Sequence, residues 1–557
     1  MNWGRAAGRH SQEKETGRLL SKGRKDKAEG LFKGALLPCG GSKYMRRGAK
    51  NRPTYLPALA FAAMLSACAV GPHYHAPKVT LPDTFDAATS LEFSSVKGGP
   101  VPFVDASVWW RSLGDPELDS IVERAIRSNP DIEIALDRLE EARTQEAVVL
   151  GYALPRAGLS ASQGFGTGSD LTRGRVAPPL TAATSSSGID HIQQVAGFDA
   201  GWEIDLFGKF RRQMEEARYD AQAAAEARNR VIVTVIADVA RAYLDMRGLQ
   251  MELAAARRGV DTAQQTLSFV RARYEGGFTN ALDLTLAERE LATLKAQLAP
   301  LVSQVKAAQY TIAVLLGQYP EAMVKELDTF QAIPPIPPEV QAGLPLDLLR
   351  RRADIREAER QLAGATARIG VATADLFPHV GISAGAGVQY PALASGGGSI
   401  WSAGPFAFWD ILDFGALDAL VDVADLRMRE QLVAYRAAII NAVREVDTSV
   451  SAYTAQRDRL SNLGDAIAAS QQAEGYASER YKRGLTDFLN VLDAERQEYV
   501  LEDQYAVAQT ATADAFVALY KALGGGWENY QSIPPIRKPQ PAIVAAFRRL
   551  LAVDRED

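Results

Sequence analysis

YEGGFTNALDLTLAER, residues 274–289, returns 207 residues later as YKRGLTDFLNVLDAER, residues 481–496. The same offset places Trp202 on Trp409, Ile204 on Ile411, Phe207 on Phe414 and Gly208 on Gly415. Agreement in two separated segments means that the chain carries one unit twice, so the fold is to be read unit by unit.

Each copy has a long stretch without Pro and with little Gly in front of its glycine turn, Lys209 to Glu275 and Ala416 to Arg483. As continuous helix each would span about 100 Å, longer than a compact domain needs. Val239, Ala242, Met246, Leu249, Leu253, Ala256, Val260, Ala263, Leu267, Val270 and Tyr274 keep alternating spacings of three and four, the seam of a coiled coil. Beyond Gly276-Gly277 the alternation resumes at Leu291, Leu294, Leu298, Leu301, Val305, Ala308, Ile312 and Leu315 and stops at Gly317 and Pro320. This predicts an antiparallel helical hairpin over 209–316. The second hairpin, 416–523, has the same length and a turn at Gly484, with polar interruptions such as Gln456 and Ser470 on its seam.

Between the helical parts the period drops to two. Ala196, Phe198, Ala200, Trp202, Ile204 and Leu206 alternate with Gly197, Asp199, Gly201, Glu203 and Asp205, and a second alternating run covers 380–390. An apolar face backed by an acidic one fits strands with lipid on one side and water on the other, each close to the roughly 10 residues a tilted strand needs to cross a bilayer. With partners at Gly158–Gly168 and Trp401–Ile411, β-hairpins are expected at about 158–207 and 380–414, joined by external loops Ser169–Gln194 and Pro391–Ser399. Four strands do not close, and an open edge in hydrocarbon strands its backbone polar groups, so the barrel must draw on several chains. An ordinary soluble pair of hairpins with one buried face is the alternative.

The first 67 residues hold 14 Lys or Arg against 4 acidic residues, so the remainder is acidic given the total of -5, which argues against nucleic-acid binding. From Met45 a basic stretch, an apolar stretch Tyr55–Leu65 and small residues lead to Leu65-Ser66-Ala67-Cys68, a signal peptide too short to span a bilayer. Its end resembles the lipobox of bacterial lipoproteins, in which the Cys is lipidated and becomes the first mature residue; Ala69 replaces the Asp associated with inner-membrane retention. Residues 1–44 are expected to lie upstream of the true start, and with only Cys39 and Cys68 in the sequence the mature protein has no internal disulfide. The expected division is 45–67 signal peptide, 68–115 lipidated N-terminal segment, 116–325 first repeat, 326–344 Pro-rich linker, 345–524 second repeat and 525–557 tail.

Cys68-Ala69-Val70-Gly71-Pro72-His73-Tyr74, Trp109-Trp110 with Gly114-Asp115-Pro116, Asn129-Pro130-Asp131, Trp202 to Gly208 and Leu349 to Arg356 resemble the TolC superfamily of outer-membrane efflux factors, in its NodT-like lipoprotein branch. The resemblance covers nearly all of 68–527. It departs at Ala353, where a Pro is usual, and at Leu346, where a Ser is common, which leaves that turn open. The resemblance implies a fold that is mainly α with a membrane β-barrel: a homotrimer with a twelve-stranded barrel, a twelve-helix periplasmic tunnel and an equatorial belt. It implies a passive outer-membrane conduit served by a periplasmic adaptor (membrane fusion protein) and an inner-membrane resistance-nodulation-division transporter.

The resemblance also implies a constriction where the hairpins turn, at Gly276, Gly277 and Gly484. Asp283, Leu489 and Asp493 match the family's gate motif, while Asn490 replaces an Asp found in some members, so a second acidic ring is expected to be missing. Symmetry-related carboxylates on a narrow axis would attract cations and make opening sensitive to pH. The competing role for an acidic residue at a helix start is favourable interaction with the helix dipole, worth about 0.3–1 kcal/mol.

No catalytic residue, metal centre or cofactor is expected, the covalent lipid on Cys68 apart. His73 and His75 lack a third ligand, and no Walker loop or dinucleotide fingerprint occurs; the Gly-x-Ser-x-Gly run Gly381–Gly385 lies inside the alternating strand pattern and makes no elbow. Two rival readings stand: a lipoprotein that spans the periplasm without conducting, and a hydrolase, which would need carboxylates converging in a closed pocket.

Overall fold

The computed structural model describes residues 69–79, 105–166, 191–337, 345–390 and 398–530. Cys68, the signal peptide, everything upstream of it, the loop residues 167–190 and the tail beyond 530 lie outside the described residues.

Helices dominate. After a short 3-10 helix, Ala106–Leu113, come α1 (Pro116–Ser128) and α2 (Pro130–Ala153), then β1 (Arg156–Gly166) and β2 (His191–Ile204), and the first long hairpin, α3 (Lys209–Glu275) with α4 (Ala281–Leu315). The second half repeats the order: α5 (Pro345–Arg351), α6 (Ala353–Ala374), β3 (His379–Tyr390), β4 (Ser399–Phe408), α7 (Ala416–Lys482) and α8 (Phe488–Leu523). Both α3 and α7 have 67 residues and follow a glycine in the left-handed region, Gly208 at φ 84° and Gly415 at φ 85°.

Local chemistry sets the helix starts. Asp115 Oδ1 accepts from the Glu117 and Leu118 N–H groups, and Asn129 Oδ1 from those of Asp131 and Ile132, each ahead of a Pro at the first helical position, where its missing N–H costs nothing. At Ala353 the helix α6 begins behind Arg352, whose backbone is extended like that of Asn129 but whose side chain caps no N–H; the Asp354 carboxylate takes the Ile355 N–H instead, and the turn forms without the usual Pro. Arg352 braces it, donating to Asp354, Glu445 and the Ala522 carbonyl. Pro300 sits inside α4 and removes one rung of that helix.

The core lies where the short helices wrap the upper part of the hairpins. Trp109 stacks on Tyr520 at 5.5 Å and meets Phe516 edge-on; Trp110, Tyr243, Ile232 and Ile236 are buried with them. Arg247, wholly buried, is held by Glu117, Gln250 and the Thr329 carbonyl. A second apolar cluster occupies the far end of the hairpins, drawing Val260, Val270, Leu291, Tyr481, Phe488 and Leu492 from all four long helices. Most seam positions read from the periodicity are buried, Val239 to Val270 on α3 and Leu291, Leu294, Val305 and Ile312 on α4, while Tyr274 is exposed.

The four strands form one antiparallel sheet in the order β1-β2-β3-β4. Their limits differ from the alternation. β1 starts at Arg156, not Gly158, because pairing runs from Arg156↔Gly201 to Gly166↔His191, and the same pairing carries β2 back to His191, into the expected loop; ladder bonds do not require the alternation that Gln193-Gln194 breaks. β4 runs Ser399–Phe408 and not to Ile411, because its partner begins at His379, which pairs with Phe408, and Pro378 before it has no N–H to offer.

Candidate gate and membrane wall

Register assigns the two faces of the sheet. Leu159 lies opposite Phe198, Phe198 opposite Ala386, Ala386 opposite Trp401, and Trp202 opposite Ile382. Side chains opposite one another share a face, so one face is apolar from edge to edge. It is also bare: Leu159, Phe198 and Trp401 are 74%, 67% and 80% exposed. The other face carries Asp199 beside Gly158, Glu203 and Ser383, and His379 Nδ1 lies 2.7 Å from Glu203 Oε1. A bare apolar face of this size does not stay in water, and an acidic opposite face does not stay in lipid. No helix among the described residues is long and apolar enough to cross a membrane.

The N-terminal strap runs to the foot of that wall. The Val70 N–H donates to the Phe207 carbonyl at 3.1 Å, and the buried Arg212 guanidinium donates to the carbonyls of Val70 and Gly71 at 3.0 Å each. Ala69 is packed so closely on Gly208 that a side chain there would meet it at 2.7 Å. Farther along, Tyr74 donates to Glu359.

At the opposite end both hairpins turn in the same way. The Gly277 N–H donates to Tyr274 and the Phe278 N–H to Arg273; the Gly484 N–H donates to Tyr481 and the Leu485 N–H to Arg480. This is a Schellman end, which puts one residue in the left-handed region: Gly277 at φ 75° and Gly484 at φ 73°. Gly276 is different. It lies in the right-handed region, as its counterpart Arg483 does, so its lack of a side chain is not required by φ.

Of the expected gate residues, Asp283 lies in the first turn of α4, where its N–H is capped by Asn280 and its carboxylate takes the Thr279 hydroxyl. Leu489 opens α8 and is exposed, as is its counterpart Leu282 on α4, which the sequence pattern did not single out. Asp493 is exposed and one turn deeper than a helix start, beyond the first turn of α8 that begins at Phe488. All three occupy the same end of the molecule.

Missing from the sequence reading are the side chains that join one hairpin to the other. Arg496 on α8 donates from Nε to Glu290 on α4 at 2.8 Å, and its Nη2 is bound there too. Thr266 on α3 donates to Glu495 Oε1 at 2.6 Å, and Tyr499 to Gln297 at 2.6 Å. Arg273 lies over the Tyr481 ring, 4.9 Å from its centre. Above these ties lies a cavity of about 280 Å³ walled by Arg258 and by Glu290, Glu474, Glu495, Glu498 and Glu502 among others. Burial, then the neighbouring charges of Glu474, Glu290 and Glu498, pushes the Glu495 carboxyl up to about 7 against the opposing Thr266 hydrogen bond. Ser478 stands on α7 where the first repeat has Arg271, whose guanidinium pairs with Glu288 at 3.0 Å, so Glu495 lacks the cation its counterpart enjoys. That substitution is the signal from which the cluster was readable. Among the described residues no group of three or more His, Cys, Asp or Glu could hold a metal ion.

A sheet built for lipid on one face, standing on a helical hairpin pair with a tied tip, is the plan of a membrane duct. The outer membrane efflux protein family model matches residues 121–318 and 344–525. This chain belongs to that family. Among curated relatives the efflux protein is 28% identical over 493 residues to nodulation protein T of Rhizobium leguminosarum bv. viciae, covering 88% of this chain and 96% of the relative. It is 30% identical over 433 residues to the pyoverdine export outer membrane protein OpmQ of Pseudomonas aeruginosa, covering 76% and 88%. Among solved structures the outer-membrane channel OprN matches at 33% identity with a TM-score of 0.72, over 83% of this chain and all of that one; CusC, at 23% identity and a TM-score of 0.67, shares the fold. The efflux protein is therefore an outer-membrane efflux channel of mainly helical fold, and members of its family are channels and not enzymes.

Proposed function

We propose that three copies of this efflux protein close a twelve-stranded barrel in the outer membrane above a twelve-helix periplasmic tunnel, and that the tunnel is a passive conduit for small molecules. The observation that carries the proposal is the sheet itself: four strands with a continuous bare apolar face and two unpaired edges, which hydrocarbon tolerates only when closed on other strands. Energy then comes from an inner-membrane transporter of the resistance-nodulation-division class, reached through a periplasmic adaptor.

In this account residues 45–67 are removed as a signal peptide, Cys68 carries the lipid, and the two repeats, 116–325 and 345–524, flank the linker 326–344. The strap from Ala69 to Tyr74 supports the anchor, because it is fastened to Phe207 and Arg212 at the foot of the strands, where an acyl chain on the preceding residue would reach the inner leaflet. The gate is the ring of hairpin tips. Asp283 and Asp493 supply its carboxylates, Leu489 with Leu282 its apolar lining, and Gly277 and Gly484 its turns.

The test is made in cells that lack the partner transporter. The double variant Asp283→Ala plus Asp493→Ala should admit a large glycopeptide antibiotic that the outer membrane otherwise excludes, lowering its inhibitory concentration several-fold relative to wild type at equal expression. Unchanged inhibition with normally assembled protein would remove these carboxylates from the gate.

A further inference from the structure

The two hairpins do not fill their seams alike. On α3 of the first repeat Leu253, Ala256, Val260, Ala263, Leu267 and Val270 are buried, whereas on α7 no residue between Tyr453 and Tyr481 is. The offset of 207 carries Met246, Arg257, Leu298 and Val302 of the first repeat onto Tyr453, Gly464, Tyr505 and Gln509. A long side chain at 257 is thus replaced by none at 464, and an apolar one at 302 by an amide at 509.

These changes accompany a cavity of about 450 Å³ between α7, α8 and the linker that joins the repeats, a volume in the range of small-molecule sites, about 300–1,000 Å³. The linker segment Ile333–Ile336 forms one wall, and Tyr453, Leu460 and Tyr505 line the rest. That wall is tied to both hairpins: the Ile333 N–H donates to Met251 Sδ on α3 at 3.5 Å, and the Tyr453 hydroxyl on α7 donates to the Pro337 carbonyl. Gly464 keeps the space open. A Cβ there would meet only Tyr505, at an ordinary 3.8 Å, so packing does not require a residue that weakens a helix interior. Gln509 also lines the cavity, and its Oε1 is buried with no hydrogen-bond partner among the described residues, a standing cost that a donor on a ligand would remove. The charged side chain on the wall is Arg457, which lies over the Tyr453 ring at 5.9 Å and disfavours cations.

We propose that this cavity binds a planar, largely apolar molecule that carries one neutral hydrogen-bond donor, of the class of phenols fused to a second ring. The ring system fills the space over Gly464, flanked by Tyr453 and Tyr505 and resting on the Ile333–Ile336 wall, and its O–H donates to Gln509 Oε1. The site lies in the wall of the second hairpin, short of the tip turn at Gly484, and depends neither on the gate nor on how many copies form the duct.

Equilibrium dialysis of the full chain in lipid nanodiscs, with empty nanodiscs as the blank, tests it with two probes of one ring system: 7-hydroxycoumarin, kept as the neutral phenol, and 7-methoxycoumarin, which has no donor. Wild type should bind the phenol saturably and about five- to tenfold more tightly than the methyl ether, the worth of one hydrogen bond. Gly464→Leu fills the cavity and should abolish saturable binding of both probes without lowering the thermal midpoint. Gln509→Leu removes the acceptor and should leave the two probes bound equally, which keeps the test decisive should Gly464→Leu fail to fold. No saturable binding by wild type above the blank, phenol binding unchanged in folded Gly464→Leu, or phenol and ether bound equally by wild type would each overturn the proposal, and all three would leave the conduit reading standing.

Discussion

Glu495→Gln isolates the ionisation that strains the hairpin tip. With the hairpins tied as they are here, the carboxyl is held at about 7, against an ordinary value of 4.5. Any opening that hydrates it returns it toward the ordinary value. The tied arrangement therefore binds the proton more tightly, and its stability is greatest at acid pH and falls as pH rises from about 4.5 through about 7. Between pH 8 and pH 5.5 the two-state linkage amounts to about 2 kcal/mol, roughly thirtyfold in the opening equilibrium. Part of the carboxyl faces water, which screens the neighbouring glutamates, so the expected change is about ten- to thirtyfold. The charges that set it are Glu290 from α4, Glu474 from α7 and Glu498 from α8, while Arg496 and Arg258 are engaged by Glu290 and Glu502. Hydrogen exchange of the amides of 260–275 and 481–500, corrected for the chemical exchange rate, reads the opening directly. Wild type should gain protection on acidification, and Glu495→Gln should be nearly flat, about as protected at pH 8 as wild type at pH 5.5. Equal slopes in the two proteins, or protection lost on acidification, would refute the assignment to Glu495.

Arg496→Ala leaves the buried Glu290 carboxylate without its cation, which should cost about 1–3 kcal/mol and appear as faster protease cleavage at the tip, a change that Arg483→Ala on the exposed surface should not produce. Gly277→Ala with Gly484→Ala places two side chains in the left-handed region at roughly 1–2 kcal/mol each, lowering the thermal midpoint, whereas Gly276→Ala should be milder because its φ is ordinary. Phe198→Arg puts a cation on the lipid face and should cut insertion into vesicles by about 2–4 kcal/mol if it lies near the midplane; Asp199→Asn, on the other face, should insert normally. Cys68→Ser should abolish incorporation of labelled fatty acid, and persistent labelling would place the anchor elsewhere.

The hairpins were legible because a coiled-coil seam repeats over many turns, and Val239 to Val270 report the same period again and again. The strands were legible at their centres, where Phe198 and Trp202 alternate with Asp199 and Glu203, and not at their ends, which are set by what lies across the sheet: Gly166 extends β2 back to His191, and His379 halts β4 at Phe408. The tip turns were visible as glycines, but which glycine needs φ above zero depends on hydrogen bonds that single out Gly277 over Gly276. The inter-hairpin ties of Arg496 to Glu290 and Thr266 to Glu495 join residues more than 200 positions apart, so no local pattern announces them. Asp283 was readable both as a helix-start carboxylate in favourable contact with the helix dipole and as a gate carboxylate, and the structure places it in the first turn of α4 with its N–H capped by Asn280.

Single-channel conductance of the purified protein in a planar bilayer tests the duct most directly. A gated conduit should give small, flickering currents that grow and lengthen in the Asp283→Ala, Asp493→Ala protein. Correctly assembled oligomers that insert and pass no ions in either form would contradict it and favour a lipoprotein that spans the periplasm without conducting.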